Sequence, residues 1–466
     1  MIKDINADSV RGMLCTSGFV GWYLTVMYIC EKSLAIYGTD SLFAGMNIIF
    51  EAALLAILGV MIILMFHLDF EGLLEHRYFR IVPALLMAES GFALPFTNAD
   101  SFGVYAVITG ICAAFGVLAV FSSLMNVRVS HRLFAAGVGT ALGGGVRLLD
   151  QLIYSHADMT RGIYLLAAAA GLLALLTVRS SGFSKEQMPI ISYSEASHKV
   201  LLRNLPGAYL LLFLLAGLYH ICLGRITALG EALSPSVFHS HETFTYLPYL
   251  LTALVIGLFV KFHNVTPLLV FGLCFTSYAA IMLYLPYFST AENSVFLACS
   301  FMGQACFTIF TYLLILDFAM DRQHPLFYAT FGYACLTAAQ LSAHLFNDFL
   351  PAQNQAVILA ALAVLLLIGA PVAYSLLKRY GLTQDRFELH NALRGAIART
   401  SEELALSDRE KYMLELVVLG GYTLEQLPDK MMLSRNTVRA QSRSLLQKLE
   451  LNDLTELKNY FVAMCQ

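Results

Sequence analysis

Residues 406–449 read LSDREKYMLELVVLGGYTLEQLPDKMMLSRNTVRAQSRSLLQKL, and they decide the fold of the C-terminal end of the chain. Ser407, with Glu410 three residues later, forms the capping box that opens a helix. A Gly-Gly pair ends that helix, and Ser434 can cap a later one that runs to about Leu449. Apolar residues recur at helical spacing between these signals. The segment therefore predicts short helices joined by tight turns.

The last of these helices carries its charge on one face. Between Lys430 and Leu449 there are five basic residues and no acidic one. Arg435, Arg439 and Arg443 are spaced four apart, so they share one side of a helix. Such a stripe suits phosphates and guanine edges, and a tight turn before a helix of this kind is how helix-turn-helix proteins read the major groove. The segment therefore predicts double-stranded DNA as a partner.

The segment resembles the LuxR-type helix-turn-helix family. The residues that match the family pattern are Leu406, Ser407, Arg409, Glu410, Gly421, Thr423, Ser434, Thr437, Val438, Lys448 and Leu449. Asp408, Pro428 and Gln441 depart from it, since the family usually has Pro, Ala and His there. A proline inside a helix removes a backbone hydrogen bond, and the loss is smaller near the helix start.

The resemblance implies a set of DNA-binding residues and a dimer. We expect the DNA-binding residues to be Ser434, Arg435, Thr437, Val438, Arg439, Gln441, Ser442, Arg443 and Lys448. A final helix near residues 454–461 would form a homodimer on DNA, and RNA polymerase is a further expected partner.

The rest of the chain has the composition of a membrane protein. Of the 466 residues, 58% are hydrophobic and 13% charged, and soluble domains carry about twice that charged fraction. The nine cysteines include no CxxC pair, so neither a disulfide framework nor a zinc site is predicted. We also find no phosphate loop, nucleophile elbow or metal motif. The sequence therefore predicts a protein that is not an enzyme and holds no cofactor.

About twelve apolar runs are long enough to cross a bilayer, which takes about 20 residues each. They begin near Met13, Leu42, Ile81, Phe102, Leu133, Gly162, Pro206, Phe244, Pro267, Ser294, Pro325 and Ala356. Basic residues concentrate in alternate loops, which predicts both termini in the cytoplasm of a bacterium and the spans in its inner membrane.

A polar stretch at about residues 179–204 falls between the sixth and seventh runs. Two groups of six spans with a connector resemble the major facilitator superfamily, and the loop at residues 72–80 keeps part of the signature of that superfamily. We expect an all-α protein. A polytopic domain at residues 1–379, with halves at 1–178 and 206–379, precedes a linker at 380–401 and a four-helix LuxR-type domain at 402–466. In the linker, Leu389, Leu393 and Ile397 have four-residue spacing, which fits either a pairing seam or a plain connector.

Ionisable residues inside spans are candidate functional groups, because each costs about 2.5–3.5 kcal/mol on insertion scales. The candidates for ligand binding are Glu51, Glu89, Arg147, Asp150 and Arg225, with His220 and His344 as weaker ones. The two arginines would suit an anionic ligand such as a carboxylate or phosphate. Internal pairing is the alternative, either between Arg147 and Asp150 or between Arg225 and one of the acids.

A glycine run at residues 137–145 lies within the fifth span. It fits either close helix packing or a hinge.

These features predict a membrane-anchored, one-component transcription regulator that senses a small molecule. The first alternative is a transporter of the major facilitator type whose tail regulates its own gene. In the second, the tail is a protein-docking module.

Overall fold

The computed structural model describes residues 7–37, 44–65, 67, 78–93, 99–127, 129–156, 169–171, 173, 195–233, 242–259, 266–284, 295–320, 325–349, 355–379, 385–419 and most of 422–461. Regular structure in these residues is helical, without strands, so the all-α prediction is confirmed.

Among the described residues, eleven long helices precede the C-terminal region. They are α1 (Ala7–Tyr37), α2 (Ala44–Met65), α3 (Tyr78–Ala93), α4 (Ala99–Met125), α5 (Val129–His156), α6 (Glu195–Leu233), α7 (Glu242–Phe259), α8 (Thr266–Tyr284), α9 (Val295–Met320), α10 (Pro325–Phe349) and α11 (Gln355–Arg379).

These eleven helices coincide with eleven of the twelve predicted spans. The remaining prediction, near Gly162, falls where only residues 169–171 and 173 are described, and these are helical. Four helices of the described chain are long and apolar enough to cross a membrane, at Ile48–Met65, Gly103–Met125, Pro206–Ile226 and Val295–Ala319. Shorter apolar stretches lie at Tyr246–Phe259, Pro267–Ile281 and Val357–Gly369.

The chain divides into two compact units. One comprises Met1–Phe183 with Tyr209–Leu376, here called the membrane unit, and the other comprises Ser184–Ala208 with Leu377–Gln466, here called the C-terminal unit. In the membrane unit, α5 packs on α1 and on α7, while α2 packs on α4 and on α10. Helices from the two predicted halves therefore contact each other directly.

The glycine run in α5 is used for close packing on two sides. A Cβ atom at Gly137 would lie 2.7 Å from the Cα of Gly257 in α7. A Cβ at Gly143 would lie 2.9 Å from the backbone nitrogen of Gly21 in α1. Only glycine permits such approaches, because any side chain would displace the neighbouring backbone. The structure thus favours the packing interpretation of this run.

In the described part of the C-terminal region, the structure has the helices α12 (Asp385–Glu403), α13 (Asp408–Val418), α14 (Leu427–Met431) and α15 (Arg435–Lys448). Their shared core consists of Leu393, Ala396, Ile397, Met413, Leu414, Val417, Val418, Leu427, Val438, Leu445, Leu449, Leu457 and Phe461.

Helix α12 belongs to this core, whereas its sequence fits a linker or a pairing seam. Leu393 and Ile397 are buried against α13 and its neighbours. The side chain of Leu389 lies outside the described residues. The two described residues of the proposed seam therefore pack within their own chain.

Candidate functional site

The helix with the basic stripe, α15, is capped as predicted. Ser434 has extended backbone angles, φ −66° and ψ 151°, and its hydroxyl accepts a hydrogen bond from the backbone N–H of Thr437 at 3.2 Å. The hydroxyls of Ser434 and Thr437 are also 2.8 Å apart. This cap satisfies one of the free N–H groups of the first turn and sets where the helix begins.

One side of α15 is free of the core. The exposed residues on it are Arg435, Asn436, Thr437, Arg439, Ala440, Arg443, Ser444, Gln447 and Lys448. Asn436 and Ala440 are absent from the residues predicted by sequence, although each directly follows an arginine of the stripe. Their helical position was the signal that could have identified them, since neighbours on an exposed face contact the same groove.

Three residues predicted to bind DNA lie on or near the opposite side. Val438 is fully buried in the core and Ser442 is buried beside it. Gln441 is half-buried, and its Oε1 atom accepts no hydrogen bond among the described groups. In this conformation Val438 and Ser442 attach α15 to the domain, while the arginines project away from it.

A single carboxylate connects α15 to α13. Glu410 completes the capping box, with Oε2 accepting hydrogen bonds from the Ser407 backbone N–H at 2.9 Å and from the Ser407 hydroxyl at 2.8 Å. From α15, Lys448 Nζ donates to Oε2 at 2.8 Å and Ser444 Oγ donates to Oε1 at 2.8 Å. Burial raises the pKa of Glu410, but the bonds from Lys448, Ser407 and Ser444 outweigh it and lower the pKa to about 2.

Pro428, the main departure from the family pattern, lies where a proline removes no hydrogen bond of its helix. It is the second residue of α14, which begins at Leu427. The N–H groups of a first helical turn have no partner within the helix, so proline loses nothing there. Its carbonyl accepts a bond from the backbone N–H of Leu433 at 3.1 Å, which closes the turn before α15.

The last segment of the chain also contributes to the core. Leu457 and Phe461 are fully buried, whereas Tyr460 is exposed. Asp453 Oδ1 accepts a hydrogen bond from the backbone N–H of Glu456 at 2.7 Å and so caps this segment.

In the membrane unit, Arg225 pairs within the protein. Its Nε donates to Asn347 Oδ1 at 3.1 Å and its Nη2 donates to the Asn347 carbonyl at 2.6 Å. Asn347 lies in the last turn of α10, where the negative end of the helix dipole also attracts a positive charge. The guanidinium is therefore bound to α10, rather than to either of the acids that the sequence suggested.

Glu51 pairs with one of the weaker candidates. Its Oε2 atom lies 3.2 Å from Nδ1 of His344 in α10. The two side chains are thus at the distance of an ion pair, but neither carboxylate oxygen of Glu51 accepts a hydrogen bond of good geometry. Gln340, one turn earlier in α10, lies beside the same carboxylate. The structure thus brings Glu51 and His344 together, as it does Arg225 and Asn347.

Of the other three candidates, only the side chain of Glu89 lies within the described residues, and it is not joined to this pair. Glu89 is exposed on α3. Arg147 and Asp150 both lie in α5, but their side chains fall outside the described residues.

Comparison with known proteins agrees with both parts of the molecule. Residues 404–461 match the family described as bacterial regulatory proteins, luxR family. No curated protein sequence matches the chain.

The chain is similar in fold to a double tryptophan mutant of XylE, with 13% sequence identity and a TM-score of 0.51 over 80% of this chain and 94% of that one. It is also similar to the human organic anion transporter MFSD10 (TETRAN), with 14% identity and a TM-score of 0.50 over 81% of this chain and 98% of that one. At such identities the likeness concerns the fold alone. Residues 404–461 are therefore a luxR-family DNA-binding domain, and it is fused to a membrane domain with the fold of major facilitator transporters.

Proposed function

We propose that this chain is a membrane-anchored, one-component transcription regulator of the bacterial inner membrane. Its membrane unit senses a small molecule, and its C-terminal helices bind operator DNA as a homodimer, with RNA polymerase as a further partner. Both termini lie in the cytoplasm in this proposal, in keeping with the basic residues of alternate loops.

The observation that carries the proposal is the exposed arginine face of α15. Arg435, Arg439 and Arg443 are all exposed, on a helix that is capped by Ser434 and attached through Glu410. A rigid helix with this charge pattern fits the major groove, where arginine binds guanine edges and phosphates. A solvated face of no function would not require such support beneath it.

Coupling between the units follows from general thermodynamics. A ligand changes DNA binding only to the extent that it prefers one state of the membrane unit over another. Arg225, Glu51, Glu89, Arg147 and Asp150 stay our candidates for ligand contact. The arginines favour an anionic ligand.

The decisive experiment is genome-wide crosslinking of the full-length protein to DNA in its native host. The test variant is Arg439→Ala. Arg399→Ala serves as the matched control, because Arg399 is equally an exposed arginine of the C-terminal unit but lies on α12. We expect a few sharp sites that disappear with Arg439→Ala and persist with Arg399→Ala. Sites that persist in both variants, at equal membrane expression, would contradict the proposal.

A second candidate function is transport, which the fold of the membrane unit favours. In this case the chain would move a solute across the membrane, and the tail would regulate its gene or dock a protein. The two functions are separated by testing whether proteoliposomes take up a small molecule that changes DNA occupancy in cells. Accumulation above the control without protein would support transport, whereas saturable binding without accumulation would support a sensor.

A further inference from the structure

The contact between Glu51 and His344 joins the two predicted halves of the membrane unit. Glu51 lies in α2 of the first half, and His344 lies in α10 of the second. Their side chains approach to 3.2 Å, and α2 and α10 pack against each other along this region. Any change in the charge of either group therefore acts directly on the packing between the halves.

The two partners differ in their access to protons. The Glu51 side chain is 1% exposed and the His344 side chain is 28% exposed. The imidazole is therefore the member of the pair that reaches the outside of the packed helices. An imidazole is also the side chain whose ordinary titration range includes neutral pH.

The other groups around the pair leave it as the main proton-binding element. Gln340 and Tyr333 face the pair from α10, and Tyr23 of α1 lies near Tyr333. His220 faces His344 from α6, and Tyr312 of α9 packs on Tyr333. Helix α4 packs on both α2 and α10, and the titratable groups among its described side chains are Tyr105 and Cys112. Arg225 of α6 adds a fixed positive charge at Asn347, one turn after His344 in α10. Tyrosines keep their protons at neutral pH, so Glu51, His344 and His220 are the groups of this set whose charge can change near neutral pH.

We propose that Glu51 and His344 form a proton-binding site between the halves and that the proton is an input to the DNA-binding helices. The second part rests on the proposed function, whereas the first part stands without it. The ligand of this site is the hydrogen ion itself, taken up from the solvent.

The charge balance gives the direction of the effect. With one proton, the pair has no net charge, either as carboxylate and imidazolium or as two neutral groups. Acid adds a second proton to the carboxylate and removes the attraction between carboxylate and imidazolium. The pair then bears a net positive charge at the contact between α2 and α10, so acid weakens this contact. One extra proton changes the equilibrium between packed and separated helices by up to about tenfold per pH unit.

The first test measures the α2–α10 distance in the full-length protein in liposomes. Nitroxide labels on unnatural amino acids at Ala56 and Leu345 report it, since both positions are exposed and lie within one or two turns of the pair. We expect the label distance to lengthen between about pH 8 and pH 5, with the slope of a single proton. A wild-type distance that is constant over this range would overturn the proton site.

Two variants and a control assign the change to the pair. Glu51→Gln and His344→Gln should each abolish the pH-dependent step, and the exchanged double variant, Glu51→His with His344→Glu, should restore it. His67→Gln removes an exposed titratable side chain of the same unit and should leave the wild-type curve unchanged. A pH-dependent step that persists in Glu51→Gln would overturn the assignment. Recovery of the step in the double variant would show that the single variants lost the proton site and not their fold.

The second test measures DNA occupancy in cells held at both pH values. We expect occupancy to change with pH in the wild type and to be constant in Glu51→Gln. A distance that responds to pH while occupancy does not would overturn the coupling but leave the proton site standing. A wild-type protein that occupies no DNA site at either pH would instead contradict the proposed function.

Discussion

The side chain of Lys448, in the last turn of α15, donates a hydrogen bond of 2.8 Å to Oε2 of Glu410 in the first turn of α13. The same carboxylate forms the capping box of α13 with Ser407. It also accepts a hydrogen bond from the hydroxyl of Ser444 in α15. Because these bonds approach from two helices, Glu410 fixes the direction in which α15 presents its arginines.

Glu410→Gln should weaken the C-terminal helices in a pH-dependent way. The pKa of Glu410 is lowered from 4.5 to about 2, so its ionised form is bound more tightly in the folded state. That stabilisation is complete above about pH 4.5 and is lost as the pH falls towards 2. We expect a loss of about 1–2 kcal/mol at neutral pH, reduced by solvent screening at the exposed Lys448.

Urea unfolding of residues 377–466, followed by circular dichroism across this pH range, measures the effect. Glu402→Gln, at an exposed position of α12, is the control and should have little effect. An equal loss for Glu410→Gln at all pH values would contradict the assignment.

Glu450→Gly should stabilise the same region. Glu450 has a positive φ of 55°, directly after α15. The N–H of Leu451 donates to the Leu446 carbonyl at 2.9 Å and that of Glu450 to the Gln447 carbonyl at 3.3 Å, which is the helix ending that favours glycine. We expect a gain of about 0.5–1 kcal/mol in unfolding free energy. Gln447→Gly, three residues earlier in the helix, should instead destabilise, and a loss at both positions would argue against a strained Glu450.

Ile397→Ala tests whether α12 is part of the DNA-binding fold. Ile397 is 1% exposed within the shared core, so its truncation should cost about 2–4 kcal/mol. Arg399→Ala, at an exposed position two residues later, should change stability by less than about 0.5 kcal/mol. If both variants unfold at the wild-type urea concentration, α12 is a connector and not a structural element.

Gly137→Ala should disturb the contact between α5 and α7. The added Cβ would lie 2.7 Å from the Cα of Gly257, and backbone on a packed helix cannot move aside without separating the pair. We expect lower thermal stability of the full-length protein in detergent, measured by the loss of the monodisperse chromatography peak on heating. Gly59→Ala is the control, because nothing lies within 4 Å of a Cβ there. Equal melting of the two variants would contradict the close contact.

Local signals explain what the sequence predicted well. The caps at Ser407 and Ser434 depend on residues three positions away, and α1–α11 follow from the length of apolar runs. The partners of the ionisable residues, in contrast, lie far away in the sequence. Arg225 and Asn347 are 122 positions apart, and Asn347 carries no charge that would have pointed to it.

The same limit applies to α12 and to Val438. Four-residue spacing indicated an apolar face at Leu393 and Ile397, but a face alone does not say which surface covers it. Val438 matches the family pattern, and only the three-dimensional packing shows that its side chain enters the core. The exposed Asn436 and Ala440 became apparent for the same reason, once the orientation of α15 was known.

Five residues separate the end of α11 at Arg379 from the start of α12 at Asp385, and α12 is itself part of the DNA-binding core. One polypeptide therefore carries one membrane unit and one DNA-reading helix, in a stoichiometry that expression level cannot alter. In the proposed regulator, a ligand bound in the membrane unit would act on that helix without a diffusible messenger, so its signal would be neither multiplied nor stored. The proposed arrangement suits a response that must follow its stimulus promptly and end when the stimulus ends.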